Sequence, residues 1–333
     1  MSFRTIGPLN VQAVGLGCMN ISSGYDAAND TESLDMLKNA LSNGYDFFDS
    51  ATLYGSGHSE TLVGQALKPV RNKVVLASKC GLDSNGIDGR PATIHAQCDA
   101  SLKRLDTDYI DLYYLHRVDP KVPIAESVGA LQQLIDAGKI RALGLSEVSS
   151  ENLKAAIAEA PVAALQSEYS LWTRTPEFGV LDICDAHDVT FVPFSPLGRG
   201  FLAGSATELA SLGEKDLRRT IAHPRFEGDN FRSISKLLEQ FKKIAARLEC
   251  TPAQLSLAWL LAQRNGSMVP IPGTTKLPHL IENAGAADVQ LDAATITEVD
   301  TLINEKTVKG NRYNDARMAD ADSERDRLSV STA

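Results

Sequence analysis

Four ionisable side chains sit where short apolar runs end. Asp49 closes Phe47-Phe48-Asp49, and Tyr54 follows in the next loop. Lys79 comes just after Val74–Ala77, and His116 just after Ile110–Leu115. Taken singly, each has an ordinary structural role: an aspartate as a helix cap, a tyrosine as packing, a lysine reaching solvent, a histidine bonded in place. Gathered at one mouth, they make coherent chemistry. A phenol with a pKa of about 10 is a poor acid at neutral pH. A neighbouring ammonium favours its phenolate and lowers that value. A carboxylate keeps the ammonium charged, and a histidine can hydrogen-bond a substrate carbonyl. The set is a proton donor for a carbonyl oxygen. It contains no electron source, so it needs a hydride-carrying cofactor.

The elements that must position these residues are legible as alternation. Short apolar runs at Val14–Gly17, Phe47–Asp49, Val74–Ala77, Ile110–Leu115, Ile140–Leu145, Ala163–Leu165, Thr190–Phe194 and Met268–Ile271 are each followed by a helical pattern. Runs this short and uniformly apolar fit a parallel sheet buried on both faces. Eight such units in about 300 residues predict the α/β class as a closed (β/α)8 TIM barrel. An open doubly wound sheet would want GxGxxG after its first strand. Gly15-Leu16-Gly17-Cys18-Met19-Asn20 has only two of those glycines. Residues 1–12 read as a β-hairpin plugging the barrel bottom, and 198–232 as a long polar loop after the seventh strand. Thr251-Pro252-Ala253 opens an extra helix. One barrel domain is expected over 1–310. The charge-alternating stretch 311–333 reads as a mobile tail. Barrel enzymes work at the carboxyl ends of their strands, where Asp49, Lys79, His116, Ser146, Gln166 and Ser195 fall.

Composition narrows the function class. Lys and Arg number 33 against 42 Asp and Glu, a net charge of −9. With no basic cluster to offset it, nucleic acid is not the expected partner. Five scattered cysteines (Cys18, Cys80, Cys98, Cys184, Cys250) form no CxxC and fit a reducing, cytoplasmic setting. The amino-terminal residues show no signal-peptide pattern, and no apolar run is long enough to span a membrane. The six histidines are dispersed with no HxH or HExxH, so metal chemistry is not expected.

The chain resembles the aldo-keto reductases, in particular the bacterial and plant monomer-type branch with perakine reductase-like enzymes. Asp49-Ser50-Ala51-Thr52-Leu53-Tyr54-Gly55 is similar to the family's D-x-A-x-x-Y-G. Ala77-Ser78-Lys79-Cys80-Gly81 resembles its third-strand lysine motif, and Asp111-Leu112-Tyr113-Tyr114-Leu115-His116-Arg117 its fourth-strand histidine motif. The resemblance implies a catalytic tetrad of Asp49, Tyr54, Lys79 and His116. In it Tyr54 is the general acid–base, Lys79 and Asp49 tune it, and His116 orients the carbonyl.

The resemblance also implies NADPH or NADP as cofactor, with NAD a weaker alternative. Gly17, Cys18 and Met19 would border it. Ser146 and Gln166 would bind the nicotinamide carboxamide. Phe194 stands where the family usually has tyrosine and would stack on the nicotinamide. Ser195, Pro196, Leu197, Gly198, Arg199 and Gly200 would hold the pyrophosphate. Gly273, Thr274, Thr275 and Lys276 would grip the 2′-phosphate, and Glu282 and Asn283 would meet the adenine. Lys276 and His279 replace arginines common in relatives, and a lysine binds phosphate as a point charge. Met19, Tyr25, Leu53, Trp172, Phe226 and Tyr313 are the candidate substrate pocket, suited to aldehydes, aromatic carbonyls or bulky cyclic alcohols and ketones. The implied activity is reversible carbonyl–alcohol interconversion by a monomer or small homo-oligomer. The alternative is a nicotinamide-binding regulatory subunit with little turnover.

Overall fold

Seven parallel strands, hydrogen-bonded in sequence order, form the centre of the protein. They are β1 (Leu16–Gly17), β2 (Phe47–Asp49), β3 (Val75–Cys80), β4 (Ile110–Leu115), β5 (Ile140–Ser146), β6 (Val162–Glu168) and β7 (Thr190–Phe194). The computed structural model describes residues 3–25, 29–204 and 209–331. The eighth expected strand is present as a closing segment with incomplete ladders. Val269 and Ile271 donate backbone N–H bonds to Phe191 and Pro193 of β7, at 3.1 Å each. Gly15 and Gly17 donate to the carbonyls of Pro270 and Pro272, at 3.0 and 3.3 Å. Alternate residues here are prolines. They can accept from β1 but have no N–H to return. The ladder on that side therefore stays half-formed while the barrel still closes.

Helices cover the outside. Asp30–Ser42, His58–Leu67, Pro91–Leu105, Ile124–Asp136, Ser150–Glu159 and Val180–Ala186 follow β1 to β6 in turn. Gly228–Arg247 and Pro252–Ala262 lie between β7 and the closing segment, and Leu277–Ala284 follows it. Their starts are written locally. Asn29 and Glu32 form a capping box, as do Thr251 and Gln254, and Pro252 occupies the first turn. The hairpin Phe3–Ile6/Leu9–Gln12 buries Ile6, Leu9 and Val11 against Phe47, Leu112, Ala142 and Val192 inside the barrel. That apolar plug shuts the bottom and leaves the carboxyl ends of the strands as the open face.

The carboxyl-terminal stretch differs from the mobile tail expected for 311–333. Short helices form at Asp315–Ala319 and Glu324–Ser331, and Arg312, Ala321, Ser323 and Glu324 are buried. Its alternating charges are matched to partners more than 140 positions away, such as Glu147 and Glu168. Thr332 and Ala333 lie outside the described residues.

Candidate active site

The strand register brings the four predicted residues together. Asp49 ends β2 beside Ala77 of β3, and Lys79, two residues further along and one residue inside the end of β3, reaches it with its side chain. The Lys79 ammonium is 0% exposed, bonds Asp49 Oδ1 and donates to the Ser50 carbonyl at 2.8 Å. Its remaining bond goes to the Tyr54 hydroxyl at 3.2 Å. Gln166, from β6, donates Nε2 to Asp49 Oδ2 at 2.7 Å. His116 follows β4, with its backbone N–H on the Cys80 carbonyl at 2.8 Å. Its ring meets Tyr54 edge-on, with centroids 6.0 Å apart.

Burial and the neighbouring charges compete at each group. Burial pushes the Tyr54 phenol above its usual value; the Lys79 ammonium pulls it down, as anticipated, but does not prevail. Tyr54 therefore keeps its proton at neutral pH. Burial would also strip the Lys79 proton, yet Asp49 and Tyr54 outweigh it and hold the amine charged. His116 is driven well below its usual range by burial first, then by Arg117 and Lys79. It is neutral, so one ring N–H remains to donate.

Above these residues lies a cleft of about 270 Å³. It reaches from Asp49 and Tyr54 to His279, Glu282 and Asn283 on the helix Leu277–Ala284. Of the residues expected around a cofactor, Gly17, Cys18, Met19, Phe194, Ser195, Pro196, Leu197, Arg199, Gly200, Gly273, Thr274, Glu282 and Asn283 line it. Ser146 and Gln166 do not; they are buried among the strand ends, where Ser146 Oγ accepts from Arg117 at 3.2 Å and Gln166 holds Asp49. Thr275 and the exposed Lys276 sit just beyond the lining, before the helix.

Gly198 also lies outside the cleft, beneath the turn. Its φ is +55°, and a Cβ there would come within 2.3 Å of the Trp172 ring. Trp172 thus lies under the turn, and it does not line the cleft. It packs on Phe201 and Phe226 at 4.4 and 5.5 Å in a buried aromatic cluster, and Phe226 does not line the cleft either. The Tyr313 ring lies under the Arg199 and Arg312 guanidinium groups. Leu53 is 36% exposed and does not line the cleft. Of the expected substrate residues, Met19 and Tyr25 line it.

Sequence reasoning missed Asn20, Ala203, Arg218, Ala253, Ile271 and Pro272. Arg218 comes from the long loop, where Leu217 N–H reaches the Gly24 carbonyl at 3.0 Å and Arg218 stacks on Tyr25. No spacing in the sequence signals a contact between those two loops. Part of the loop, 205–208, lies outside the described residues.

The lining fits an extended dinucleotide. A Cβ on Gly17 would stand 2.8 Å from the Ile271 carbonyl, so close backbone approach is built in. Asn283 Oδ1 is buried at the cleft without a hydrogen-bond partner, an acceptor suited to an amino group of a ligand. Among the described residues, no three His, Cys, Asp or Glu side chains gather to hold a metal ion, and no helix is long and apolar enough to cross a membrane.

Comparison with known proteins agrees. A soybean (Glycine max) protein, "Probable aldo-keto reductase 1", is 41% identical over 310 residues, 91% of this chain and 88% of that one. "Aldo-keto reductase yakc [NADP(+)]" from Schizosaccharomyces pombe is 40% identical over 321 residues, 93% and 94% of the two chains. Among solved structures, the glycerol dehydrogenase AKR11B4 from Gluconobacter oxydans superposes with a TM-score of 0.82 at 30% identity, covering 90% of this chain and 94% of that one. The model of the Aldo/keto reductase family matches residues 13–304. With those matches spanning the barrel and the cleft, the chain belongs to the aldo/keto reductase family.

Proposed function

We propose that the protein interconverts carbonyl compounds and alcohols with NADP(H), using Tyr54 as the proton donor and acceptor. The observation that carries this reading is the chain Asp49–Lys79–Tyr54: a buried carboxylate, a buried ammonium and a phenol 3.2 Å from it, at the floor of a cleft. When bound, the dinucleotide would supply or take up the hydride. Gly17, Phe194, Thr274 and Asn283, which line the cleft, and Lys276 just beyond it would hold it, and the yeast relative's name carries NADP(+).

The chain's own residues handle the proton. In reduction, Tyr54 gives its phenolic proton to the carbonyl oxygen as charge develops there. The Lys79 ammonium stabilises the phenolate left behind, and Asp49 keeps Lys79 charged inside the barrel. Neutral His116 donates to the same oxygen and sets its direction. In oxidation, the Tyr54 phenolate takes the alcohol proton.

The test is loss of NADPH absorbance with an activated aromatic aldehyde, wild type against Tyr54→Phe. Turnover that falls by about 10²–10⁴ in the variant, the span of a lost general acid, supports the reading. Tight NADPH binding without turnover in wild type would favour the regulatory-subunit alternative.

A further inference from the structure

The carboxyl-terminal segment beyond the family match at 13–304 reaches the rim of the cleft through a buried ion network. Arg199 lines the cleft, yet its guanidinium turns away and bonds Glu168 Oε2 at 2.7 Å. Its backbone φ is +57°, the left-handed state that a side chain adopts only when its surroundings insist. Ser195, Gly198 and Gly200 in the same turn share that state, and Glu168 anchors the Arg199 side chain beneath it. That carboxylate also accepts from Thr173 Oγ1 at 2.9 Å, and its backbone N–H binds Glu147 Oε1 at 2.8 Å.

Arg312 joins the two glutamates. It donates to Glu147 Oε1 at 3.0 Å and Oε2 at 2.5 Å, to Glu168 Oε2 at 3.5 Å, and to Glu324 Oε1 at 2.7 Å. Ser323 closes the ring from Oγ to Glu147 Oε2 at 2.8 Å. Burial would raise the Glu147 carboxyl, but Arg312 outweighs it and holds it down to about 2. Glu147 is therefore ionised, and it needs its cation. A buried network of this kind is rigid only while every member is satisfied. Without Arg312, Glu147 and Glu168 would face each other with one shared cation fewer. Glu168 would shift, and Arg199 would lose its fixed anchor.

We propose that Arg312 is a positioning residue for the dinucleotide, acting through Glu168 to hold the Arg199 turn in its binding shape. It rests on the NADP(H) reading above. The segment 312–324 is then part of the nucleotide site, although it touches none of the cleft.

The test follows NADPH fluorescence on the full chain, as equilibrium titration and as stopped-flow release. Arg312→Met should raise the Kd about tenfold, within the coupling range of residues in one ion-pair network, and speed release to match. With saturating NADPH, kcat should change less than twofold. Arg312→Lys should restore part of the affinity. Arg325→Ala, next in the carboxyl-terminal stretch but itself exposed and paired with exposed Glu151 and half-buried Asp322, should bind as wild type. Folded Arg312→Met with wild-type Kd and release rate overturns the proposal, as does an equal loss in Arg325→Ala. If Arg312→Met does not fold, Glu324→Gln removes one anchor of Arg312 and should still raise the Kd about threefold; an unchanged Kd there overturns the proposal. Wild type that binds no NADPH at all would instead sink the NADP(H) reading itself.

Discussion

Gln166 Nε2 bonds Asp49 Oδ2 at 2.7 Å while Lys79 takes the other oxygen of the same carboxylate. Both oxygens of Asp49 are thereby fixed, and the carboxylate cannot rotate away from Lys79. The residue expected to meet the carboxamide of a cofactor also holds the proton-relay carboxylate in place. Gln166→Leu should leave Oδ2 buried without a donor, at a cost of about 1–3 kcal/mol. Urea unfolding should report that loss, and kcat should fall with it. Wild-type stability in the variant would mean that the Gln166 bond is not needed to fix Asp49.

Lys79 and Asp49 are a buried pair, 0% and 1% exposed. Removing one partner strands the other. Lys79→Met should destabilise the barrel by about 3–5 kcal/mol. The double variant Lys79→Met/Asp49→Leu should recover much of that stability but none of the turnover. Melting and turnover measured together separate the two roles; recovered activity in the double variant would contradict the proposed proton path.

The histidine sets a pH signature. The folded pKa of His116 lies well below its unfolded value of about 6.5. Below that value the unfolded chain binds a proton that the folded one refuses, so stability is full above about pH 6.5 and declines as pH falls. The slope assignable to one such group is about 1.4 kcal/mol per pH unit. The difference in unfolding free energy between wild type and His116→Gln, followed from pH 7 to 5, should shrink with that slope. A constant difference would mean that His116 titrates normally. Since Tyr54 is shifted upward, reduction should lose no activity to Tyr54 ionisation between pH 6 and 9.

The turn under the proposed pyrophosphate site depends on Gly198. Gly198→Ala brings both left-handed strain and a contact at 2.3 Å with Trp172. We expect KM for NADPH to rise about tenfold with a smaller change in kcat, since the lost energy is binding energy. Adding Trp172→Leu should recover part of the affinity by making room. A Gly198→Ala variant with unchanged KM would remove this turn from the binding site.

Lys276 stands exposed just before the helix Leu277–Ala284. If it faces the 2′-phosphate, Lys276→Ala should weaken NADPH by about tenfold, leave NADH unchanged and flatten the salt dependence of NADPH binding. Equal weakening of both cofactors would place the lysine elsewhere.

Much of this was legible in the sequence because it was written locally. The apolar runs gave the strands, and their order gave the barrel. Thr251 with Pro252 marked a helix start, and the positions of Asp49, Lys79 and His116 at strand ends followed from the alternation. Convergence needed only the rule that parallel strands open at one face. The eighth run, Met268–Ile271, reads as a strand like the others; Pro270 and Pro272 leave its ladder half-formed.

Tertiary structure decided what depends on distant partners. Trp172 and Phe226 look like pocket residues by type, but they pack on each other away from the cleft lining, with Trp172 also on Phe201 and under Gly198. Arg312 and Glu324 look like solvated tail by pattern, yet Glu147 and Glu168 take in Arg312 as a buried ion, and Arg312 in turn holds Glu324. A side chain's type and its local period fix which element it belongs to and which face it prefers. Whether it then meets solvent, a ligand or an opposite charge depends on chain far away in sequence, and that is settled only when the barrel closes.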